Sequence, residues 1–593
     1  MTVDVRVRQR PLHEIYLKAF EKTVREAHPD TVMSAYNRVN GEQMAESSLL
    51  RDVLRGAWGF DGVIISDWGS VSQRDGGVAV GMDLEMPDSH GKFDGDVYAA
   101  LEDGRLSEQQ LDDCVLRLLQ FAETCAQRRQ NAQPSQPMDE QAHLALAREI
   151  AARAMVLLKN DDATLPLQNG RRVAVIGEFA RTPRYQGGGS AHVRPAQLEV
   201  PLDCLRKAYP DLIFAPGYRL DGGDAALADA AVQAAEQAEV ALVFAGLPDA
   251  YEAECYDRVD LELLAEQNEL IARICHANPN TVVVLFAGSA VTMPWAQQAK
   301  SILMAYLPGQ AVGSALTDVL TGACEPTGRL AETFPARLED TPSYGNFPGD
   351  GSVCDYAEGI YVGYRWYDKR KIDPQFAFGQ GEGYTQFAYR DISLSAGELD
   401  ADGAVQVNVT VQNIGTRKGR EVVQLYAAQD SGQWGYVRQL KGFETLELES
   451  GQIGHVSFTL RAEDLSVWSE REQRFWVQDG VYILEAAHHS RDIRCRAKLA
   501  VHTGDCERAP QGRNVNVRQL LADTRTRAMA EEIYAEMLAD RAARDPNFDR
   551  SKAERLGQSL FLSYPARNFI DICSAETAAR LEERVYREMA APE

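Results

Sequence analysis

The chain has 593 residues, too many for one hydrophobic core, and its 45% hydrophobic and 25% charged residues exclude fibrous and disordered classes. A formal net charge of −25 argues against nucleic acid as a partner, because phosphate binding needs concentrated Lys and Arg; it fits a neutral substrate, or simply solubility. MTVDVRVRQRPL carries no secretory apolar stretch, no run approaches a membrane span, and the ten cysteines form no C-x-x-C pair, so reduced thiols in a cytoplasm are the expectation, with no metal, cofactor or disulfide framework.

Residues 1–125 alternate short apolar strands with helical stretches. TVMSAY (31–36) and GVIISDW (62–68) read as buried strands and VAVGMDLEMP (78–87) as a weaker one. Ser107 and Gln110 form a capping box that opens a helix. Strand–helix alternation points to a parallel sheet of about three βα units. The polar, proline-containing stretch 126–141 reads as a linker. A helix over 142–158 then leads into strands at 173–177, 240–246, 281–288 and 301–307, a second parallel α/β domain spanning 142–335. After a connecting segment, 336–389, strands at 405–415, 421–429, 455–460 and 480–487 predict an antiparallel β-sandwich over 390–503. Residues 515–593 carry helical periodicity, a C-terminal helical appendage.

Asp67 stands at the carboxyl end of GVIIS, where βα barrels build their sites, and Trp68 beside it offers an apolar face to a sugar ring. Read alone, Asp67 could equally cap the helix that follows. A second cluster, Asp249-Ala-Tyr-Glu252-Ala-Glu254-Cys-Tyr-Asp257-Arg258, follows VALVFAG. Arg258 pairing with one acid would leave another free to take a raised pKa, as a general acid needs; the bland reading is a solvated charged loop. For Asp67 and a glutamate of this cluster to act on one bond, an interdomain cleft is required. Gly187-Gly-Gly-Ser190 is a poor match to a nucleotide loop, because Pro183 and its neighbours separate it from the strand, and reads as a flexible loop that could line that cleft.

FDGVIISDW (60–68), SAYNRVNG (34–41) and GMDLEMP (81–87) resemble the nucleophile region of family 3 β-glucosidases. MVLLKNDDATLPL (155–167), FAGLPDAYEAECYDR (244–258) and the segment 306–335 resemble that family's α/β sandwich. EGIYVGYRWYD (358–368) resembles the connection to its fibronectin type III-like domain, and 390–503 that domain. The resemblance implies an α/β multidomain fold: part of a (β/α)8 TIM barrel, an α/β sandwich and a β-sandwich, followed here by the helical tail. It implies an exo-acting, retaining β-glucosidase with Asp67 as nucleophile and Glu254 as acid/base, Glu252 being the runner-up. Trp68 would stack beside the sugar and Tyr36 would hold Asp67.

Three departures stand out. Cys255 replaces a glycine of the motif E-G-Y-D-R, and Gln380 and Glu382 replace residues of G-H-G-L-S-Y-T. The resemblance also implies a barrel longer than residues 1–125 supply, since closure takes about 200 residues. The chain is therefore expected to begin inside the barrel, to turn over weakly or not at all by itself, and to aggregate or form a homo-oligomer that covers exposed apolar surface. The alternatives are a catalytically dead binding or structural protein, and a β-xylosidase or broader β-glycosidase.

Overall fold

The structure, a computed structural model, describes residues 2–132, 138–429, 435–512, 514–549 and 562–589. In the first domain the strands are β1 (Asp4–Arg6), β2 (Thr31–Met33), β3 (Arg38–Val39), β4 (Glu42–Gln43) and β5 (Val63–Ile65). β2 and β5 pair in parallel, Thr31 opposite Val63. The stretch 78–87 forms no strand. Residues Arg74–Ala79 are helical, Gly81 takes a left-handed φ of +82°, and only Leu84 bridges to Ile65. The reason is local: the Asp83 carboxylate, not a strand carbonyl, accepts the Ile64 N–H at 2.7 Å. That carboxylate is fully buried between Arg55 and Arg117, each at 2.7 Å, so a three-way ion pair fastens β5 to the next segment.

β1 joins a different patch. It lies between β3 and β12 (Val353–Asp355), a strand donated by the connecting segment. The strands of residues 1–125 therefore fall into two separate patches, the parallel pair β2-β5 and a mixed one in which β4 alone is antiparallel, and a cavity of about 330 Å³ is lined by Val5, Tyr16, Val32, Met33, Leu54 and Trp58. Phe20 and Met33 stand 56% and 61% exposed there.

The capping box at Ser107 and Gln110 forms, and its helix runs Glu108–Asn131, well into the stretch read as a linker. The next helix, Glu140–Ala154, begins before that stretch ends; residues 133–137 of it lie outside the described residues. That helix also ends earlier than the sequence suggests. Val156–Asn160 is β6, because three consecutive buried apolar residues complete a sheet edge instead of continuing a helix.

β7 (Val173–Ile176), β8 (Ile213–Ala215), β9 (Val240–Gly246), β10 (Thr281–Phe286) and β11 (Ser301–Met304) complete a six-stranded sheet in the order β6-β11-β10-β9-β7-β8, with β6 alone antiparallel. Every residue of β9 and β10 is buried, as a parallel sheet covered by helices on both faces requires.

Strands β13 (Phe387–Leu394) to β22 (Asp492–His502) form the β-sandwich. Its two larger sheets, of three and five strands, enclose a core that includes Val407, Val409, Leu425 and Leu484. In Ala404–Asn413 the residues alternate in and out, hence the clear period of two. Gln380 and Glu382, two of the motif departures, bind the second domain's β6: the Gln380 side-chain amide donates to the Leu158 carbonyl at 3.4 Å, and the Glu382 N–H donates to the Leu157 carbonyl. The N-terminal segment docks here too, with the His13 ring stacked 3.6 Å from that of Trp468. Helices Val517–Ala522, Arg527–Arg544 and Ala575–Met589 pack around their own hydrophobic cluster; residues 550–561 and 590–593 of the tail lie outside the described residues.

Candidate active site

β2 and β5 are parallel, so the loops that follow them emerge at the same end of the sheet. Tyr36 lies in the first loop and Asp67 in the second. Gln43 ties them together, its side-chain amide donating to the carbonyls of Tyr36 (2.7 Å) and Ser70 (3.1 Å). The Trp68 N–H donates to Asp67 Oδ1 at 2.6 Å, and Gly69 at φ +78° turns the chain so that its N–H reaches the Met86 carbonyl. A hydrogen bond with the Asp67 carboxylate pushes the Tyr36 phenol up, and the Glu254 charge adds to the effect. Tyr36 thus stands at Asp67 and within electrostatic reach of Glu254, a residue of the other domain. The Trp68 ring is 63% exposed beside them.

Three loops at the carboxyl ends of β7, β9 and β10 converge on Glu252. Its carboxylate accepts from Arg184 Nη1 (2.6 Å), the Gly288 N–H (2.7 Å) and the Ser289 hydroxyl (2.8 Å), with Arg258 at 3.8 Å. Arg184 is only 3% exposed and also binds Asp249 and the Leu247 and Glu252 carbonyls. Burial alone would push Glu252 up, but these donors outweigh it and its carboxyl sits below the usual 4.5. A depressed carboxyl stabilises the loop above that value and loses its contribution as pH falls through its folded pKa. Glu252 is a brace, held by three donors from two other loops. Glu252→Gln, which keeps the shape but weakens the Arg184 bond, is expected to cost about 1–3 kcal/mol, read as faster amide exchange across 247–258; unchanged exchange would refute the brace.

Glu254 is different. It is exposed, and Ser190 holds it: the Ser190 N–H donates to Oε2 at 3.0 Å. The hydroxyl and N–H of Ser190 keep this carboxyl below the usual glutamate range. The expectation that one acid of the cluster takes a raised pKa fails for both glutamates: Arg184, Gly288 and Ser289 hold the charge on Glu252, and Ser190 holds it on the exposed Glu254. The neighbour pushed up by burial is Glu332, beside Arg258, which sequence reading missed. Cys255, in place of the motif's glycine, takes φ +62°, a left-handed conformation that costs a residue with a Cβ about 1–2 kcal/mol. The GGGS stretch packs tightly against this loop, Gly188 bridging to Ala253. Arg184 and Ser190 carried no sequence signal, since their partners lie some 60 residues away.

A cavity of about 980 Å³ lies at the junction of the second and third domains, and neither Asp67 nor Glu254 lines it. Among the described residues no cluster of three His, Cys, Asp or Glu could hold a metal, all ten cysteines are free thiols, and no helix is long and apolar enough to cross a membrane.

Residues 2–121 match the glycosyl hydrolase family 3 N terminal domain, and residues 155–364 its C-terminal domain. Thermostable β-glucosidase B of Acetivibrio thermocellus is 42% identical over 545 residues, 91% of this chain and 72% of that protein. The chain belongs to glycosyl hydrolase family 3. Within this family, an exo-α-(1→6)-L-arabinopyranosidase of Bifidobacterium breve is 39% identical over 524 residues, 86% of this chain and 68% of that protein. The crystal structure of a family 3 β-glucosidase from Bifidobacterium adolescentis superposes with a TM-score of 0.83 at 38% identity, covering 90% of this chain and 77% of that one. Residues 421–490 match a fibronectin type III-like domain, the β-sandwich described above.

Proposed function

We propose that this family 3 chain hydrolyses terminal β-D-glucosyl residues with retention, Asp67 acting as nucleophile and Glu254 as acid/base. The reading rests on Asp67, partly exposed at the end of β5 beside Trp68, and on Glu254, exposed with Oε1 free of donors among the described residues; the Tyr36 phenol, pushed up first by Asp67 and also by the Glu254 charge, supports it. A retaining glycosidase needs two carboxyl groups across one glycosidic bond. An Asp67 oxygen bonds to C1 as the C1–O bond breaks, and the departing oxygen keeps the electron pair and takes the Glu254 proton. Glu254, now a carboxylate, takes a proton from water as the water oxygen attacks C1 and releases Asp67. Trp68 offers its exposed ring to the sugar face.

The free edge at β2, with Phe20 and Met33 exposed, supports weak turnover by the chain alone and self-association that covers that edge. The acidic surface fits a neutral glycoside as substrate, with no nucleic acid or membrane partner, and the free thiols fit a cytoplasmic setting. A second reading rests on the arabinopyranosidase relative. α-L-Arabinopyranosides share the equatorial C1 oxygen of β-D-glucosides but lack C6 and differ at C4. Hydrolysis of 4-nitrophenyl β-D-glucoside with β-glucose as the first anomer seen by NMR is the expected result. α-Glucose first would refute retention, and turnover confined to the α-L-arabinopyranoside would replace the glucosidase reading by the second.

A further inference from the structure

We infer that Ser190, presented on the Gly187–Gly189 turn, is a positioning residue that clamps one oxygen of Glu254 and leaves the other facing the substrate; this rests on the acid/base reading of Glu254.

The clamp is built from backbone up. The stretch 184–193 folds back on itself: the Val193 N–H donates to Gln186 Oε1 at 2.9 Å, and the Gln186 amide returns a bond to the Val193 carbonyl at 3.1 Å. Its base is fastened to the opposite loop by Arg184 and His192, each 3.2 Å from Asp249. At its tip three residues lie against Ala253 and Glu254. A Cβ on Gly188 would stand 2.7 Å from the Ala253 Cβ, and one on Gly189 would stand 2.8 Å from the Glu254 Cβ and 3.1 Å from Oε2. Gly189 also has φ +77°, a conformation that favours glycine. The glycines are therefore a requirement of close approach, and the approach sets the Ser190 N–H 3.0 Å from Oε2. Oε1 has no hydrogen-bond partner among the described residues.

The arrangement bears on both chemical steps. Donors aimed at a carboxylate stabilise its charged form. That form is the base that takes the proton from water in the second step, whereas the first step needs the proton on. By holding Oε2, the clamp leaves Oε1 to exchange the proton with the glycosidic oxygen and then with water, without a change of rotamer between steps. It also favours the charged form of the carboxyl, the form from which the second step starts.

The test is a ¹³C titration of the Glu254 carboxyl in the 593-residue chain, assigned by difference from Glu254→Gln, together with the pH profile of kcat/KM on an aryl β-glucoside. Gly189→Ala, whose Cβ displaces Glu254 from the Ser190 N–H, should raise the titration midpoint, and Ser190→Ala, which keeps that N–H and removes only the hydroxyl, should raise it less. The alkaline limb of kcat/KM, which reports the acid in the free enzyme, should move up with the midpoint in Ser190→Ala while KM changes little. Equal midpoints in wild type and Gly189→Ala, whose added Cβ pushes Glu254 off the Ser190 N–H, overturn the clamp, whatever happens to activity. A midpoint that moves in a chain whose hydrolysis is absent, or unaffected by Glu254→Gln, keeps the clamp and removes the acid/base reading. Gly189→Ala should displace Glu254 and abolish the Ser190 effect; retention of that effect would also overturn the proposal.

Discussion

Asp67→Ala should lower kcat on aryl β-glucosides by about 10³-fold or more, equivalent to roughly 4 kcal/mol of barrier. The loss should fall on kcat, because the carboxylate makes its decisive bond to C1 only as the leaving group departs. The fold should survive: the side chain is partly exposed, and its donors, the Trp68 N–H and the Tyr36 hydroxyl, can turn to water. Azide should occupy the vacated space and attack C1 from the same face as the missing carboxylate, giving an inverted glycosyl azide. Glu254→Ala should behave differently. Substrates with poor leaving groups should slow most, because they depend on protonation, and azide should now give the retained product by attacking the glycosyl-enzyme. A residual kcat within tenfold of wild type for Asp67→Ala would remove Asp67 from the nucleophile role. Leaving-group dependence in Glu252→Ala instead of Glu254→Ala would reassign the acid/base, against the hydrogen bonding of Glu252.

Asp83→Ala should destabilise the first domain by about 3–5 kcal/mol, the usual cost of stripping one partner from a buried ion pair. The carboxylate is fully buried, Arg55 and Arg117 are 15% and 19% exposed, and the Ile64 N–H would lose its acceptor as well. Two uncompensated guanidinium groups and one orphaned amide then sit under β5, the strand that carries Asp67. The defect should stay local, because the second domain has a separate and much larger core. Limited proteolysis should therefore cut early within residues 1–125 while the sheet of β6 to β11 stays protected. An unchanged cleavage pattern in Asp83→Ala would show that the ion pair contributes little. Asp83→Asn, which keeps the shape and one acceptor, should lie between wild type and Asp83→Ala.

Much of the architecture was legible because period and burial coincide. β9 and β10 are unbroken apolar runs since both faces of their sheet are covered, and Ala404–Asn413 alternates because one face of its sheet is buried. The helix start at Ser107 was legible because a capping box is a contact between near neighbours in the chain. Where the reading failed, a tertiary partner had overridden the local signal. The stretch 78–87 looks like a strand, yet Asp83 takes the amide a ladder would use. Val156–Asn160 looks like the end of a helix, yet β11 offers it an edge. Asp4–Arg6 gave no strand signal, because its partners lie at 38–39 and 353–355.

The same division runs through the site. The sequence by itself determined that Asp67 and the acidic cluster each follow a strand, and the motif resemblance assigned them to one family. Which glutamate is free was a tertiary decision. Glu252 and Glu254 are two residues apart in one loop, and nothing in their order says that Arg184, Gly288 and Ser289 all bind the first while Ser190 alone binds the second. Those donors come from loops that only the parallel order of β7, β9 and β10 gathers at one end of the sheet. Tyr36 and Asp67 likewise meet because β2 and β5 run in parallel. Hydrogen bonds and charges act over a few ångströms, so the state of a carboxyl is set by its neighbours in space, and the chain folds those neighbours in from far away in sequence.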